Sequence, residues 1–272
     1  PVFAPKDKIG DWLEHYTALM ELDYWSGTEC LGARYDDDAG TWELRVRRRG
    51  EDVTLRPQQL VFALGVSGYP NVPEFEGANA FLGEQYHSSK YPGGGDQTGK
   101  KALIIGSNNS AHDIAADLWE HGADVTMLQR SSTHIVRSDS LMEFALGDLY
   151  SERALAAGTT TEKADMLFAS LPYRVLPDAQ IPIYERIAEH DAGFYDQLRE
   201  AGFNLDFGED GSGLFLKYLR RGSGYYIDVG ASQLIIDGRV KLKQGQVSKL
   251  TGNGAVLDDG TELEADIIVY AT

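Results

Sequence analysis

Apolar residues at three- and four-residue spacing open the chain. In DKIGDWLEHYTALM (7–20), Ile9, Leu13 and Tyr16 fall on one side with Trp12, Leu19 and Met20 nearby, which predicts an amphipathic helix. The pattern then shortens to short β-type runs, predicting strands over 29–35, 41–48 and 53–56, separated by the turn segments DDDAG and RGED. QQLVFALGVSG (58–68) follows as a continuous apolar run and is read as a strand. Pro70 and Pro73 in YPNVPEFEG then make a stiff, extended connector.

A second series begins after the glycine-rich turn PGGGDQTGK (92–100). KALII (101–105) reads as a buried strand, Gly106 as a tight turn and SAHDIAADLWEHG as a helix with Ile114 and Leu118 in register. Ser107 and Asn108 suit the N-cap and Gly122 the stop. DVTMLQR (124–130) completes a βαβ unit. Residues 140–225 leave this rhythm: KADMLFASLPYRVLP and PIYERIAEHDAGFYDQLREAG predict helices with a Pro-rich joint, and FGEDGSGLFLKYLRRGSGYY a Gly-rich excursion. The region is read as a helical insertion.

The C-terminal stretch returns to short strands, with a hairpin turn at Asp258–Gly260 and a closing apolar strand, DIIVYAT. LVFALG (60–65) and IIVYAT (267–272) align as the closing strands of two similar units. The second unit opens with the loop at Gly106, whereas the first has no such opening here. The expectation is that its glycine loop lies upstream of Pro1, and that a chain starting without methionine and ending mid-strand at Thr272 is part of something longer.

The fold class expected is therefore α/β, with two Rossmann-like (FAD/NAD(P)-binding) units carrying three-stranded β-meanders, the first incomplete, plus the helical insertion. The divisions are 1–77 for the C-terminal part of an FAD-binding domain, 78–100 for a linker, and 101–272 for an NADP-binding domain with the insertion at about 140–225.

Composition narrows the function. With 42% hydrophobic and 25% charged residues the chain can bury a core and is an ordinary soluble type. Its 25 basic and 42 acidic residues give a net charge of −17, which argues against nucleic acid or an anionic membrane surface as partner. The basic run RVRRRG (45–50) does not change this, because it is predicted to pair with YDDDAG in a solvated hairpin. The single cysteine, Cys30, excludes an internal disulfide, a C-x-x-C pair and a thiolate zinc site. Six histidines without an i, i+4 pair speak against a histidine metal site. No apolar stretch approaches a membrane span and no signal peptide is visible, so a cytoplasmic setting is expected.

The loop IIGSNNSAHD carries the candidate chemistry. A dinucleotide loop uses its glycines to turn, to let backbone approach the pyrophosphate, and to pack helix on strand. Gly106 supplies the first role and Ala111 substitutes in the third, while Asn108 stands in the second place. Asn tolerates positive φ, and its amide can donate to a phosphate oxygen. The alternative is a βα turn that binds nothing. At the end of the next strand an NAD site keeps an acidic residue; here the sequence is LQRSSTH, where Arg130 offers a cation and Ser131, Ser132 and Thr133 offer hydroxyls to a 2′-phosphate. The alternative for Arg130 is an ordinary surface arginine.

FLGEQYHSSKYPG (81–93) fits F-x-G-x-x-x-H-x-x-x-[aromatic] through Phe81, Gly83, His87 and Tyr91. It resembles the fingerprint of class B flavin-dependent monooxygenases, which include the flavin-containing and the Baeyer–Villiger monooxygenases. PKDKIGDWLEHY, LVFALGVSGYPNVPEFEG, IGSNNSAHDIAADLWEHGADVTMLQRSSTHIV and ADIIVYAT are similar to flavin-containing monooxygenase segments, in the family's order.

The resemblance implies an enzyme in which NADPH reduces FAD, reduced FAD captures O2 as a C4a-peroxyflavin, and one oxygen atom passes to a small organic substrate. It implies Gly106, Ser107, Asn108, Asn109 and Ser110 at the NADP pyrophosphate, and Arg130 with Ser131 and Ser132 at its 2′-phosphate. His87, Ser88 and Ser89 would lie on a linker that follows NADP, and Ala63 and Gly65 would approach FAD, with Leu64 in place of the family's threonine. No catalytic residue and no metal is assigned. Tyr91 resembles the flavin-containing branch, favouring N- or S-oxygenation over Baeyer–Villiger oxidation. Arg221, Tyr225 and Tyr226 in the insertion are read as shaping a substrate channel, or as helical packing with a tyrosine-rich rim. The family's FAD glycine motif is absent from these residues, so the chain alone is expected to bind flavin poorly and not to turn over; a homo-oligomer is a further expectation. The competing readings are a flavoprotein disulfide reductase, another two-dinucleotide flavoprotein, and a non-catalytic NADP-binding module.

Overall fold

The computed structural model describes residues 4–65, 67 and 69–272, and divides into two compact units, 1–65 and 66–272.

The first unit begins with α1 (Lys6–Leu19), which follows Pro5. The predicted face of Ile9, Leu13 and Tyr16 forms but stays exposed, and Trp12 stacks on Tyr16 at 5.5 Å. Then β1 (Thr28–Asp36), β2 (Thr41–Arg48) and β3 (Glu51–Leu55) make an antiparallel meander close to the predicted bounds. Asp36 fixes the acidic turn by accepting the N–H groups of Asp38 and Ala39 at 3.1 and 3.0 Å, the local bond for which Asp suits turns. Arg47 pairs with Asp52 across the other turn, and Val46 points inward between the arginines.

The strand expected at 60–65 is not formed. Val61, Phe62 and Leu64 are exposed, and the last ladder-like bond before them joins Trp42 N–H to the Pro57 carbonyl at 2.8 Å. A strand needs a neighbour for its amides, and none lies beside this run among the described residues. The equivalence of 60–65 with the C-terminal strand therefore does not extend to structure. Val66 and Gly68, the tail of the apolar run, lie outside the described residues.

The second unit is built on a five-stranded parallel sheet. Its elements are β4 (Glu84–His87), β5 (Lys101–Ile105), α2 (Asn109–Glu120) and β6 (Asp124–Gln129), then the insertion, then β9 to β13. The insertion runs β7 (His134–Arg137), α3 (Ser138–Ser140), a π-type segment at Leu141–Leu146, α4 (Glu152–Ala156), α5 (Thr161–Ala169), α6 (Leu176–His190), α7 (Ala192–Glu200), α8 (Gly213–Arg221) and β8 (Tyr225–Asp228). After it come α9 (Ala231–Ile236), β9 (Lys241–Gln244), the meander β10 (Val247–Thr251), β11 (Gly254–Leu257) and β12 (Glu262–Glu264), and β13 (Ile267–Tyr270). The sheet order is β4-β13-β5-β6-β9.

The central strands read as continuous apolar runs because both their faces are covered. Ala102, Ile104, Ile267 and Val269 pack towards α2 and α9, with Leu118, Val125 and Ile235. Leu103, Ile105, Ile268 and Tyr270 pack on the other side, against Phe81 and the meander residues Val247, Leu250 and Leu257. Full burial of each such side chain contributes about 1.5–3 kcal/mol, which makes this sheet the stable frame for whatever its loops carry.

The insertion is helical as expected, yet its internal divisions differ. The segment predicted as one helix over 182–202 breaks at Asp191, whose buried carboxylate accepts the Ser140 hydroxyl at 2.5 Å and pairs with Arg137. Helix α6 begins before Pro182, with Pro177 in its first turn, where a missing N–H costs nothing. The Gly-rich excursion holds the regular helix α8, stopped by Gly222. β7 and β8 pair in parallel and close the insertion into a loop.

Gly83 of the fingerprint is fixed by the sheet. Its neighbour Glu84 donates to the Asp266 carbonyl at 2.9 Å, and a Cβ on Gly83 would collide with that carbonyl and with the Phe81 ring. Phe81 is itself buried in the core. Gly83→Ala is therefore expected to destabilise the chain by about 1–3 kcal/mol through overpacking, read as a lower urea midpoint with unchanged slope; an unchanged midpoint would show that this approach has slack.

Candidate functional site

The sheet reverses direction of winding between β5 and β13. From β5 the chain crosses through α2 to β6 on one side, while β13 lies on the other, so a crevice opens beyond their C-terminal ends. Gly106 sits in that crevice with φ +133, and a Cβ there would strike the Ala271 carbonyl. Its N–H donates to Leu128 at 3.0 Å, and the Ala271 N–H returns to Ile105 at 2.9 Å. Glycine is required twice at this point, by conformation and by space.

Helix α2 starts without a side-chain cap at its N-cap residue, Asn108. The first amide to find a partner is His112 N–H, on the Asn108 carbonyl at 3.0 Å; among the described residues those of Asn109, Ser110 and Ala111 have none. Free amides and the helix dipole favour an anion there. Asn108 lies at φ −98, so the tolerance of Asn for positive φ is not used. Its Oδ1 accepts the Thr133 hydroxyl at 3.2 Å, and Thr133 also bonds the buried Ser107 hydroxyl at 2.8 Å. With Oδ1 so engaged, the Nδ2 is the donor left to Asn108, a residue that lines the cleft. Thr133 is thus a buried support of the loop and not a phosphate ligand.

The remaining loop residues divide by what they touch. Ala111 is wholly buried, the small packing residue between helix and strand. Asn109 turns away and accepts the Ile227 N–H at 3.1 Å, tying α2 to β8. Ser110 is exposed in the first turn of α2. His112 is buried, stacks on Tyr226 at 4.0 Å and 9°, and contacts the Asn108 carbonyl at 3.1 Å. Tyr226 is consequently a core residue, not a channel wall; Tyr225 packs edge-on against Tyr218 at 6.1 Å.

A cleft of about 580 Å³ runs from this loop along the ends of the strands. Gly106, Ser107, Asn108, Arg130, Ser131 and Ser132 all line it. Arg130, just past β6, has no ion-pair partner among the described residues. The cleft also receives Lys217, Arg220 and Arg221 from α8, which sequence reasoning did not assign to it together. Their signal was the i, i+3, i+4 spacing in KYLRR, hidden by the glycines on both sides.

His87, Ser88 and Ser89 stand at the end of edge strand β4, outside the cleft lining. His87 Nδ1 accepts the Ser89 N–H at 3.1 Å and meets the Ser89 hydroxyl at 2.9 Å, so that ring nitrogen is satisfied locally. Tyr91 donates to Asp117 of α2 at 2.5 Å, and burial together with that carboxylate raises its hydroxyl pKa. The aromatic end of the fingerprint therefore pins the segment after β4 to the nucleotide-loop helix. Ala63 and Gly65 belong to the first unit and are exposed. Among the described residues no group of three metal-type ligands gathers, and no helix is long and apolar enough to cross a membrane.

Comparison with known proteins agrees with this frame. A family model described as pyridine nucleotide-disulphide oxidoreductase matches residues 43–171. Over all of the chain, it is 26% identical to the probable indole-3-pyruvate monooxygenase YUCCA10 of Arabidopsis thaliana and 28% identical to indole-3-pyruvate monooxygenase YUCCA1 of Oryza sativa subsp. japonica. It spans 63% and 60% of those relatives' lengths. Among solved structures, the OTEMO complex with FAD and NADP aligns over 99% of this chain and 57% of its own, at TM-score 0.68 and 18% identity. Oxidized steroid monooxygenase bound to NADP aligns over 99% and 56%, at TM-score 0.64 and 18% identity. These structures share the fold.

The buried histidines set an acid limit on this unit. His134 is enclosed by Tyr184 and Phe207, with its Nδ1 2.9 Å from the Asp206 carbonyl. Burial pushes both His112 and His134 down from 6.5 to about 4. Between those values the unfolded chain holds protons that the folded one refuses, so stability falls as pH drops from about 6.5 to about 4. Each histidine contributes up to about 3 kcal/mol of that loss. Urea midpoints at pH 7.5, 5.5 and 4.5 should fall in order, and His112→Phe, which keeps a ring on Tyr226, should flatten the decline; an unaltered slope would remove His112 from this account.

Proposed function

From the premise of a chain that is flavin-monooxygenase-like from end to end, we propose that it forms the NADP-binding part, and a portion of the FAD-binding part, of an NADPH- and FAD-dependent monooxygenase. The enzyme would insert one atom of O2 into a small organic substrate. The observation that carries this is the pairing, across one cleft, of the uncapped start of α2 with the unpaired cation Arg130.

Each half of that pair meets a different phosphate. The Ser110 amide and the Asn108 side chain at the start of α2 suit a pyrophosphate, while Gly106 keeps the backbone low enough for it to approach. Arg130 and Ser131 suit a 2′-phosphate, which an NAD site with an acidic residue would repel. NADPH supplies the hydride and FAD the oxygen chemistry when bound. The first unit contributes a meander and the turn at Gly65 but no glycine-rich strand-to-helix turn, so residues 4–65 by themselves do not fit a flavin. FAD is assigned to the whole protein on the strength of the relatives, with Ala63 and Gly65 as the residues that would approach it.

N- or S-oxygenation is the favoured outcome because the fingerprint ends in Tyr91, with Baeyer–Villiger oxidation the other outcome. The chain holds one cysteine, Cys30, which is exposed and free, so these residues contribute no redox pair of the kind a disulfide reductase carries. A cytoplasmic setting suits that free thiol and the acidic surface. A homo-oligomer would have to cover apolar surface such as the exposed face of α1.

The chain is expected to bind NADP⁺ at least about 10-fold more tightly than NAD⁺, with Arg130→Ala erasing most of the difference by weakening NADP⁺ alone. Equal affinities in the unaltered chain would sink the assignment. For the full-length protein, NADPH oxidation coupled to O2 uptake and substrate oxygenation separates a monooxygenase from a non-catalytic NADP module.

A further inference from the structure

We propose that Arg221 is a second ligand for the 2′-phosphate and that Glu209 is its built-in competitor, so that NADP binds by exchanging one counter-ion of Arg221 for another. This rests on reading the cleft as an NADP site. It concerns how that site chooses its nucleotide.

Three cations of α8 reach the cleft, and each is matched by an acid from the loop before it: Lys217 by Asp206, Arg220 by Asp210, Arg221 by Glu209. The three pairs are not equivalent. Lys217 and Asp206 are 12% and 23% exposed, and Asp206 also takes the Gly208 N–H at 2.7 Å. Arg220 and Asp210 are 28% and 36% exposed, and Asp210 holds the Ser212 N–H and hydroxyl as well. Those bonds keep the Asp210 carboxyl well below the usual range. Breaking either pair strands a partly buried charge and unmakes the loop. They are structural.

Glu209 and Arg221 are different, at 66% and 63% exposed, and the Glu209 carboxylate has no other partner among the described residues. An exposed pair of this kind contributes little to stability, because water screens both charges. A 2′-phosphate carries about −1.5 to −2 charges and three acceptor oxygens, so it outbids a single carboxylate for the same guanidinium. Arg130 alone cannot neutralise such a group. With Lys217 and Arg220 already committed, Arg221 is the cation in the cleft that can supply the second charge at low cost. Glu209 then sets the price of admission: a nucleotide lacking the 2′-phosphate gains nothing by displacing it.

The test measures binding to the 272-residue chain by calorimetry, with 2′,5′-ADP and NADP⁺ as probes of the phosphate and 5′-AMP and NAD⁺ as controls. Glu209→Gln should tighten 2′,5′-ADP and NADP⁺ by about 3- to 10-fold, and Arg221→Gln should weaken both by about 10-fold. 5′-AMP and NAD⁺ should stay within about 2-fold throughout. In the double variant the gain from Glu209→Gln should vanish, since the competitor has nothing left to occupy. A gain of affinity cannot arise from misfolding, so Glu209→Gln guards against a damaged Arg221 variant. If Glu209→Gln leaves 2′,5′-ADP unchanged or weaker, or if Arg221→Gln weakens 5′-AMP equally, the exchange is wrong while the NADP site stands. If the unaltered chain binds neither 2′,5′-ADP nor NADP⁺, both fall together.

Discussion

Everything at the candidate site depends on how closely two strand ends approach. Beyond β5 and β13 the backbones of Gly106 and Ala271 come near enough that no side chain fits between them. That approach exists because Ile104, Ile105, Val269 and Tyr270 are buried on both faces of the sheet, so neither strand can retreat without opening the core. The close approach in turn fixes where α2 begins, and so where its free amides point. The loop at Gly106 is thus a consequence of core packing carried to the edge of the sheet.

Around that edge, polar side chains do two separate jobs. Ser107, Thr133 and Asn108 form a hydrogen-bonded chain that stiffens the loop from behind, while Asn109 and His112 hold its helix to the insertion. Arg130 and the end of α8 supply charge from in front. The first group spends its hydrogen bonds on protein, which is why residues with attractive hydroxyls or amides contribute to shape more than to contact. Only groups left unsatisfied by the fold remain for a ligand.

The sequence was most legible where local pattern and tertiary role coincide. KALII, the helix through Ile114 and Leu118, the stop at Gly122 and the two meanders are visible because burial on a sheet writes periodicity directly into the chain. The run at 60–65 misled because apolar character records that a segment is suited to burial, not that its neighbour is at hand. Thr133 looked like a ligand because spacing places it at the strand end but cannot show that its hydroxyl faces inward to Ser107. The cations of α8 were missed as a set for the opposite reason: they arrive from about ninety residues away, through an insertion whose glycines disguise a helix. Charge brought in by topology leaves no mark at the motif it serves.

The tie between α2 and the insertion has a practical side. β8 closes the insertion, and it is there that Ile227 bonds Asn109 while Tyr226 lies flat on His112. An insertion stitched to α2 in this way is not an interchangeable cassette. Transplanting residues 138–224 from a relative to alter substrate range would leave those stitches in place only if the seam at β7 and β8 stays native. A chimera cut one strand further out would carry a foreign partner for α2, and would loosen the helix start that borders the cleft.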